Sequence, residues 1–226
     1  MSVFHRRFGP NRSGRDFIIG DLHGMLELLE AALDARAFDP RCDRLFSVGD
    51  LIDRGVDSPG ASRLVGNAWF HAVRGNHEDM LIRAASGEEP RMLALWWQNG
   101  GQWGIRGGQV TAEARDAAER LAQLPWVITL EHSSGRCFGI CHAQCPVEDW
   151  NDIDTVTDRP ELRQELLWGR DRIMRVDPSP VRGIDWTIHG HTIVASPLRS
   201  ANAVFIDTGG YRPGGQLSLL SLDELS

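Results

Sequence analysis

Three short clusters carry side chains able to hold metal: Gly20-Asp21-Leu22-His23-Gly24, Gly49-Asp50-Leu51-Ile52-Asp53-Arg54-Gly55 and Gly75-Asn76-His77-Glu78. Two more follow far downstream, at His142 and in His189-Gly190-His191-Thr192. Each comes directly after a short apolar run. Asp21, His23, Asp50, Asn76, His142 and His191 together offer carboxylate, imidazole and amide donors and no thiolate. That set suits manganese, iron or zinc; calcium would ask for more oxygens and no imidazole. A carboxylate has two oxygens and can bridge two ions about 3.5–4 Å apart, and a water shared by such ions is acidified into a hydroxide nucleophile near neutral pH. Asp50, in the middle cluster, is the candidate bridge.

The residues beside these donors point to phosphate. Arg54 and Arg74 flank the second and third clusters, and Arg170 stands in Leu167-Trp168-Gly169-Arg170. Guanidinium groups match phosphate oxygens in bidentate geometry. His77 directly follows Asn76, so it is expected to point away from the ion and to serve as a general acid that protonates a leaving alkoxide. Asp53 is placed to hydrogen-bond its second nitrogen. His5, His71, His132 and His189 read as structural or surface histidines, with His189 facing away from His191. The glycines around the donors let the backbone turn sharply and leave room for ions and phosphate.

Residues so far apart in sequence must be gathered by the fold. Apolar runs at Phe17–Ile19, Leu45–Val48 and Phe70–Val73 read as strands. They alternate with helices over Met25–Phe38, Pro59–Ala68 and His77–Ala85, the pattern of an α/β protein. Ligand sites in such sheets lie outside the carboxyl ends of the strands, where the donors would converge. Residues 89–124 read as helical, broken by glycines between Trp96 and Trp103, with the aromatics as ordinary core. Thr111 is a plausible cap for a helix running to Leu124. Trp126–Leu130 and Cys137–Cys141 read as a hairpin, and Trp186–Ile188, Ala203–Ile206 and Leu217–Leu220 as further strands. Asp152–Pro160 reads as a loop.

Length and composition set the remaining bounds. A chain of 226 residues with 42% hydrophobic content suits one domain, 1–226, with a helical cap segment at about 87–124. A net charge of -7 argues against a nucleic-acid partner but not against an anionic substrate, because bound cations and arginines reverse the field locally. No apolar run approaches the roughly 18 residues of a membrane span. Met1–Arg15 is polar and basic without the apolar stretch of a signal peptide. Cys42, Cys137, Cys141 and Cys145 form no CxxC pair, and reduced thiols in a cytoplasmic protein are the expectation.

The combination GDLHG, GDLIDRG and RGNHE, with Ile140-Cys141-His142-Ala143 and Gly190-His191-Thr192 downstream, resembles the PPP family of metal-dependent phosphoprotein phosphatases, in particular its compact phage and bacterial members. The resemblance runs from Phe17 to Leu220 and also takes in Asn99-Gly100-Gly101 and Ile206-Asp207-Thr208-Gly209. It implies a calcineurin-like metallophosphoesterase fold, α/β or α+β by some schemes, with two mixed β-sheets flanked by helices. It implies two divalent ions per chain, with manganese first and iron or zinc as alternatives. Asp21 and His23 match ligands of the first ion, Asp50 the bridge, and Asn76, His142 and His191 ligands of the second. His77 matches the catalytic histidine, Asp53 its partner, and Arg54, Arg74 and Arg170 phosphate-binding arginines. The implied activity is hydrolysis of phosphoserine and phosphothreonine in phosphorylated proteins, with no obligatory regulatory subunit evident. Two rival readings stand beside it. Dinucleoside tetraphosphate hydrolases share the first motif and the metal site, but generally lack the aspartate matching Asp53 and end the third motif in Asp where this chain has Glu78. A non-catalytic protein-binding module would usually have lost ligands or the histidine.

Overall fold

The computed structural model describes residues 3–174 and 179–225, leaving the first two residues of the basic N-terminal segment outside the described part. The chain begins with β1 (His5–Phe8), then β2 (Asp16–Ile19), α1 (Leu26–Ala35), β3 (Arg44–Ser47), α2 (Ser58–Ser62), β4 (Phe70–Ala72) and α3 (Asn76–Ser86). After α4 (Pro90–Gln98) come a 3₁₀ turn at Gly101–Gly104, the short strands β5 (Ile105–Arg106) and β6 (Gln109–Val110), and α5 (Ala112–Leu121). The second half contains β7 (Val127–Glu131), β8 (Cys137–Cys141), a 3₁₀ segment at Trp150–Asp158, α6 (Pro160–Trp168) and α7 (Asp171–Met174). It closes with β9 (Trp186–His189), β10 (Leu198–Ser200), β11 (Ala203–Phe205) and β12 (Leu219–Ser221).

Two mixed sheets face each other. One has the order β12-β2-β3-β4, the other β1-β7-β8-β9-β11-β10. In the first, β2, β3 and β4 are parallel and β12 is antiparallel. Strand periodicity sorts the side chains between layers. Ile18 and Phe46 join Ile128, Leu130, Phe138, Ile140 and Ile188 in the core between the sheets. Their neighbours Phe17, Ile19 and Leu45 point the other way, into a second core with Leu29, Leu81, Trp96 and Leu121 from the helices. A third core, with Cys141, Trp150, Ile153 and Leu166, covers the far face of the larger sheet. Each buried Leu, Ile or Phe contributes about 1.5–3 kcal/mol of transfer free energy. The parallel strands therefore sit rigidly between two apolar layers, and their carboxyl ends emerge together.

Three local outcomes differ from the sequence reading. The basic N-terminal segment supplies an edge strand: β1 pairs in parallel with β7, Arg6 and Arg7 stay exposed, and His5 is buried between Asp154 and Thr129, 2.7 Å from each. Residues 89–124 are not helical throughout, because Gly107 and Gly108 both take positive φ and close a two-residue hairpin between β5 and β6. Asp152–Pro160 is not an open loop but largely 3₁₀ turns that bury Ile153 and Val156. Thr111 does cap α5, accepting from Ala114 N at 3.2 Å. Among the described residues, no helix is long and apolar enough to cross a membrane.

Candidate metal centre

The loops after β2, β3 and β4 are stitched together by backbone and by one buried carboxylate. Leu22 N and His23 N both donate to Asp50 O, and Gly24 N donates to Leu51 O. Glu78, fully buried in the first turn of α3, accepts from Asp50 N, Leu51 N and Gly75 N at 2.8–2.9 Å. Burial and the nearby Asp50 push its carboxyl up to about 7. In the sequence Glu78 is only a family marker; in the fold it clamps two donor loops at fixed spacing. Two glycines make room: a Cβ on Gly75 would collide with Asp50 Oδ1, and one on Gly190 with Asp21 Oδ1.

Asp50 is the centre of the arrangement. Its Oδ1 accepts from His77 N at 3.0 Å, and its Oδ2 lies 3.9 Å from His23 Nε2, 3.9 Å from His77 Nε2 and 3.4 Å from His142 Nε2. Two sets of metal-competent donors result, His23–Asp50–His77 and Asp50–His142–His191, and they share Asp50. Asn76 Oδ1 joins the second set, 2.9 Å from both His142 Nε2 and His191 Nδ1. Asp21 falls in neither set; both of its oxygens accept from His191 N at 3.1 Å. The first set therefore contains His77 where the sequence reading expected Asp21.

The donors fit cations on grounds of chemistry. A carbonyl oxygen only accepts, so His23 Nδ1, 2.9 Å from Ile52 O, and His142 Nδ1, 2.8 Å from Val48 O, must both be donors, which leaves each Nε2 facing the cluster. Asn76 Oδ1 and two imidazole nitrogens do not pack at 2.9 Å unless a proton or a cation lies among them. His77 Nε2, His191 Nε2 and Asp207 Oδ2 are buried without a hydrogen-bond partner. Buried carboxylates crowd the same space: burial, with Asp207 beside it, raises Asp21 well above the usual carboxylate range. Burial opposes charge on Asp50, but His142 and His77 overcome it and hold that carboxyl well below the usual range. Burial likewise works against a proton on His142, yet Asp50 and Asp21 carry it up to about 10. Burial and a neighbouring imidazole push His23 and His191 down to about 3, which leaves them neutral and able to coordinate.

Backbone strain gathers at the same place. Among the described residues, seven non-glycine residues have positive φ, and His23, Asp50, Asp53, Arg54 and His191 are five of them, at 45–71°. Each such residue costs about 1–3 kcal/mol and persists because the surroundings over-determine it. The left-handed turn at His191 also separates it from His189. On a continuous strand residues two apart share a face, but His189 stays in the core against Cys141 and Thr187 while His191 turns to the donors.

His77 and Asp53 form a fully buried pair, Nδ1 to Oδ2 at 2.7 Å. Two indoles bind the same carboxylate: Trp96 Nε1 donates to Oδ1 and Oδ2 at 3.1 and 2.9 Å, and Trp103 Nε1 donates to Oδ1 at 2.7 Å. Trp96 is core, as expected, but it also reaches the site. Its signal in the sequence was an indole N–H in need of a partner, close to glycines that bring it inward.

A cavity of about 350 Å³ opens onto Asp50, Asn76 and His191, and Arg54 and Arg170 line it. Arg54 Nη1 is 3.0 Å from His23 Nε2 and 3.3 Å from the Tyr211 hydroxyl, with its guanidinium 5.0 Å from the Tyr211 ring centroid. Arg74 is not brought there. It is buried, 3.6 Å from Asp79, donates to Ala122 O and stacks on Trp126. Tyr211, Arg212, Asn99 and Trp168, to which the sequence assigns no role, line the cavity as well. Trp168 also lines a neighbouring groove of about 610 Å³ with Arg83, Arg91, Met92 and Leu95. Cys42, Cys137, Cys141 and Cys145 are free thiols and contribute no donor to either set.

The chain is similar to known proteins. A family model described as calcineurin-like phosphoesterase matches residues 17–195. Serine/threonine-protein phosphatase 1 of Salmonella typhimurium is 38% identical over 209 residues, spanning 90% of this chain and 89% of that protein. A symmetrical bis(5'-nucleosyl)-tetraphosphatase of Pseudomonas fluorescens is 32% identical but over 58% of this chain and 43% of its own length. Among solved structures, a protein serine/threonine phosphatase from Saccharomyces cerevisiae superposes with a TM-score of 0.62 at 13% identity, covering 97% of this chain and 84% of that one.

Proposed function

This chain belongs to the calcineurin-like phosphoesterase family, and from that premise we propose that it is a metal-dependent phosphoprotein phosphatase hydrolysing phosphoserine and phosphothreonine monoesters. Members of the family work with divalent metal ions. In this reading His23 and Asp50 would hold one ion, with the buried Asp21 carboxylate beside Asp50 turning to it from its present hydrogen bond to His191 N, and Asp50, Asn76, His142 and His191 would hold a second. Manganese is the assignment, and the donors equally suit iron or zinc. Such ions, when bound, acidify water toward neutral pH and draw charge off phosphoryl oxygens. The rest falls to the chain. Arg54 and Arg170 grip the phosphoryl oxygens from the cavity wall. His77, with Nδ1 held by Asp53, presents Nε2 to the leaving serine or threonine oxygen and gives it a proton as the P–O bond breaks. The activity is assigned to this chain with no obligatory regulatory subunit. A cytoplasmic setting is part of the same reading, in line with four cysteines that form no CxxC pair.

One observation carries the choice of a monoester: the buried His77–Asp53 pair at 2.7 Å, whose free Nε2 faces Asp50. A serine or threonine alkoxide is a poor leaving group and needs a proton, whereas a nucleoside phosphate leaves without one. The Salmonella relative, named a serine/threonine-protein phosphatase, supports the same reading over nearly the whole chain. The test is to assay p-nitrophenyl phosphate, a phosphoserine peptide and a dinucleoside tetraphosphate side by side with Mn²⁺. Turnover of the first two and little of the third is expected. Turnover of the tetraphosphate alone would overturn the assignment, and no turnover of any would favour a binding module.

The two classes of arginine make a second prediction. Arg54→Ala should lower kcat/KM for the phosphoserine peptide by about 10–100-fold, as loss of a charged bidentate contact does, with the melting temperature nearly unchanged. Arg74→Ala should do the reverse, lowering stability by about 1–3 kcal/mol and leaving kcat/KM within about threefold, because it packs on Trp126, pairs with Asp79 and donates to Ala122 away from the cavity wall. Steady-state kinetics and denaturant melts on both variants decide it. An Arg74 variant that melts normally but turns over poorly would return Arg74 to the phosphate site.

A further inference from the structure

We infer that Trp96 and Trp103 are positioning residues that set the orientation of the Asp53 carboxylate and, through it, aim His77 at the leaving group. The inference rests on the phosphatase reading for its kinetic part only. Asp53 sits at φ 71°, with its backbone N held by Ser58 Oγ at 2.8 Å. Its side chain is fully buried, so both oxygens need donors. Oδ1 receives Trp96 Nε1 at 3.1 Å and Trp103 Nε1 at 2.7 Å. Oδ2 receives Trp96 Nε1 at 2.9 Å and His77 Nδ1 at 2.7 Å. Two indoles and one imidazole thus fix the plane of the carboxylate.

The residue type matters. An indole offers one N–H and no charge. An arginine in its place would bind the carboxylate as tightly but cancel its charge, and Asp53 would then do less for a protonated His77. The indoles orient the carboxylate while leaving its charge for the histidine. Their own positions are fixed by the segment after α4. A Cβ on Gly101 or Gly104 would collide with the Trp96 ring, and the two indoles pack edge to face at 5.8 Å and 88°. Gly100, at φ 113°, lies close against Arg54, with a Cβ there 2.9 Å from the Arg54 backbone N. The glycine-broken segment therefore serves the proton donor and a cavity arginine together.

Trp103 is partly exposed and Trp96 fully buried, so Trp103→Phe is the primary variant and Trp96→Phe the second. For Trp103→Phe, kcat on a phosphoserine peptide should fall about 10–100-fold, as a small misplacement of a catalytic group does. KM and metal content should stay as in the parent. With p-nitrophenyl phosphate, whose leaving group needs no proton, the fall should be under about threefold. Adding Trp103→Phe to Asp53→Asn should cost little more than Asp53→Asn alone. An equal loss on both substrates, an additive loss, or no loss overturns the inference. An arm independent of activity keeps it testable whatever the substrate: in ¹⁵N-indole-labelled protein, Asp53→Ala should shift the N–H signals of Trp96 and Trp103 more than those of the other tryptophans. If those two signals do not move, the indole–carboxylate contact is refuted; if they move while the parent shows no phosphoserine turnover, the phosphatase reading fails and the contact stands.

Discussion

Asp50→Asn is expected to strip the ions from the centre and abolish turnover in the same step. The substitution keeps shape and volume, so the buried loop has no steric reason to unfold. It changes the chemistry at the one atom that both donor sets share. Asp50 Oδ2 stands 3.4–3.9 Å from three imidazole nitrogens, those of His23, His77 and His142. Oδ1 is already committed to His77 N at 3.0 Å. An amide fills that hydrogen bond with its oxygen and turns its NH₂ toward the shared position, where it repels a cation. The negative charge is lost as well, and with it the principal attraction that raises His142 to about 10 and balances the ions. A residue on only one ion would leave the other bound; a bridge does not. Metal analysis should show a fall from about two ions per chain to fewer than about one, and turnover of a phosphoserine peptide should drop below detection. Two ions per chain with a near-normal rate would remove Asp50 from the centre.

The convergence of His23, Asp50, Asn76, His142 and His191 was legible because chemistry and fold announce these residues in the same places. A carboxylate or imidazole after a short apolar run, with glycine beside it, marks the end of a buried strand; β2 and β8 end where the runs end, and β3 and β9 within one residue of it. Residues whose identity is generic and whose meaning comes from tertiary contact were not legible. Arg74 looks like Arg54 in sequence, both beside a donor, yet one guanidinium packs on Trp126 and the other opens into the cavity. Trp96 and Trp103 read as core because an indole is mostly apolar, and one N–H decides their second task. β1 was hidden because His5-Arg6-Arg7-Phe8 is polar; an edge strand keeps its arginines in solvent and draws its pairing from β7. The ribbon at residues 105–110 was hidden because Gly107 and Gly108 lie in a stretch that otherwise reads as helical, and only their paired positive φ makes them a hairpin. Asp207 entered through the family resemblance without a role of its own, since nothing in Asp207-Thr208-Gly209 states that its carboxylate is buried near Asp21 and Asp50.

His77→Asn should leave the ions in place and lower turnover of phosphoserine by about 10²–10⁴-fold, the range for loss of a general acid. The separation of the two effects is built into the helix start. Asn76 and His77 are adjacent at the N-terminus of α3, and their side chains diverge: Asn76 Oδ1 meets His142 and His191, while His77 Nδ1 turns to Asp53. The backbone N of residue 77 still donates to Asp50 Oδ1 whatever its side chain, so the bridge is undisturbed. Asparagine keeps a polar group near Asp53 but has no nitrogen that passes a proton to an alkoxide. The loss should therefore grow with the basicity of the leaving group: small for p-nitrophenol, large for serine. A plot of log kcat against leaving-group pKa for a series of aryl and alkyl phosphates should steepen in the variant. His77 also stands in one of the two donor sets, within reach of Asp50 Oδ2 through the same Nε2. The two roles are exclusive at that atom, because a nitrogen bound to an ion has no proton to give. Full metal content with a steepened plot identifies the acid. A variant that loses an ion and slows equally on every leaving group would instead make His77 a ligand, and the proton would have to come from elsewhere.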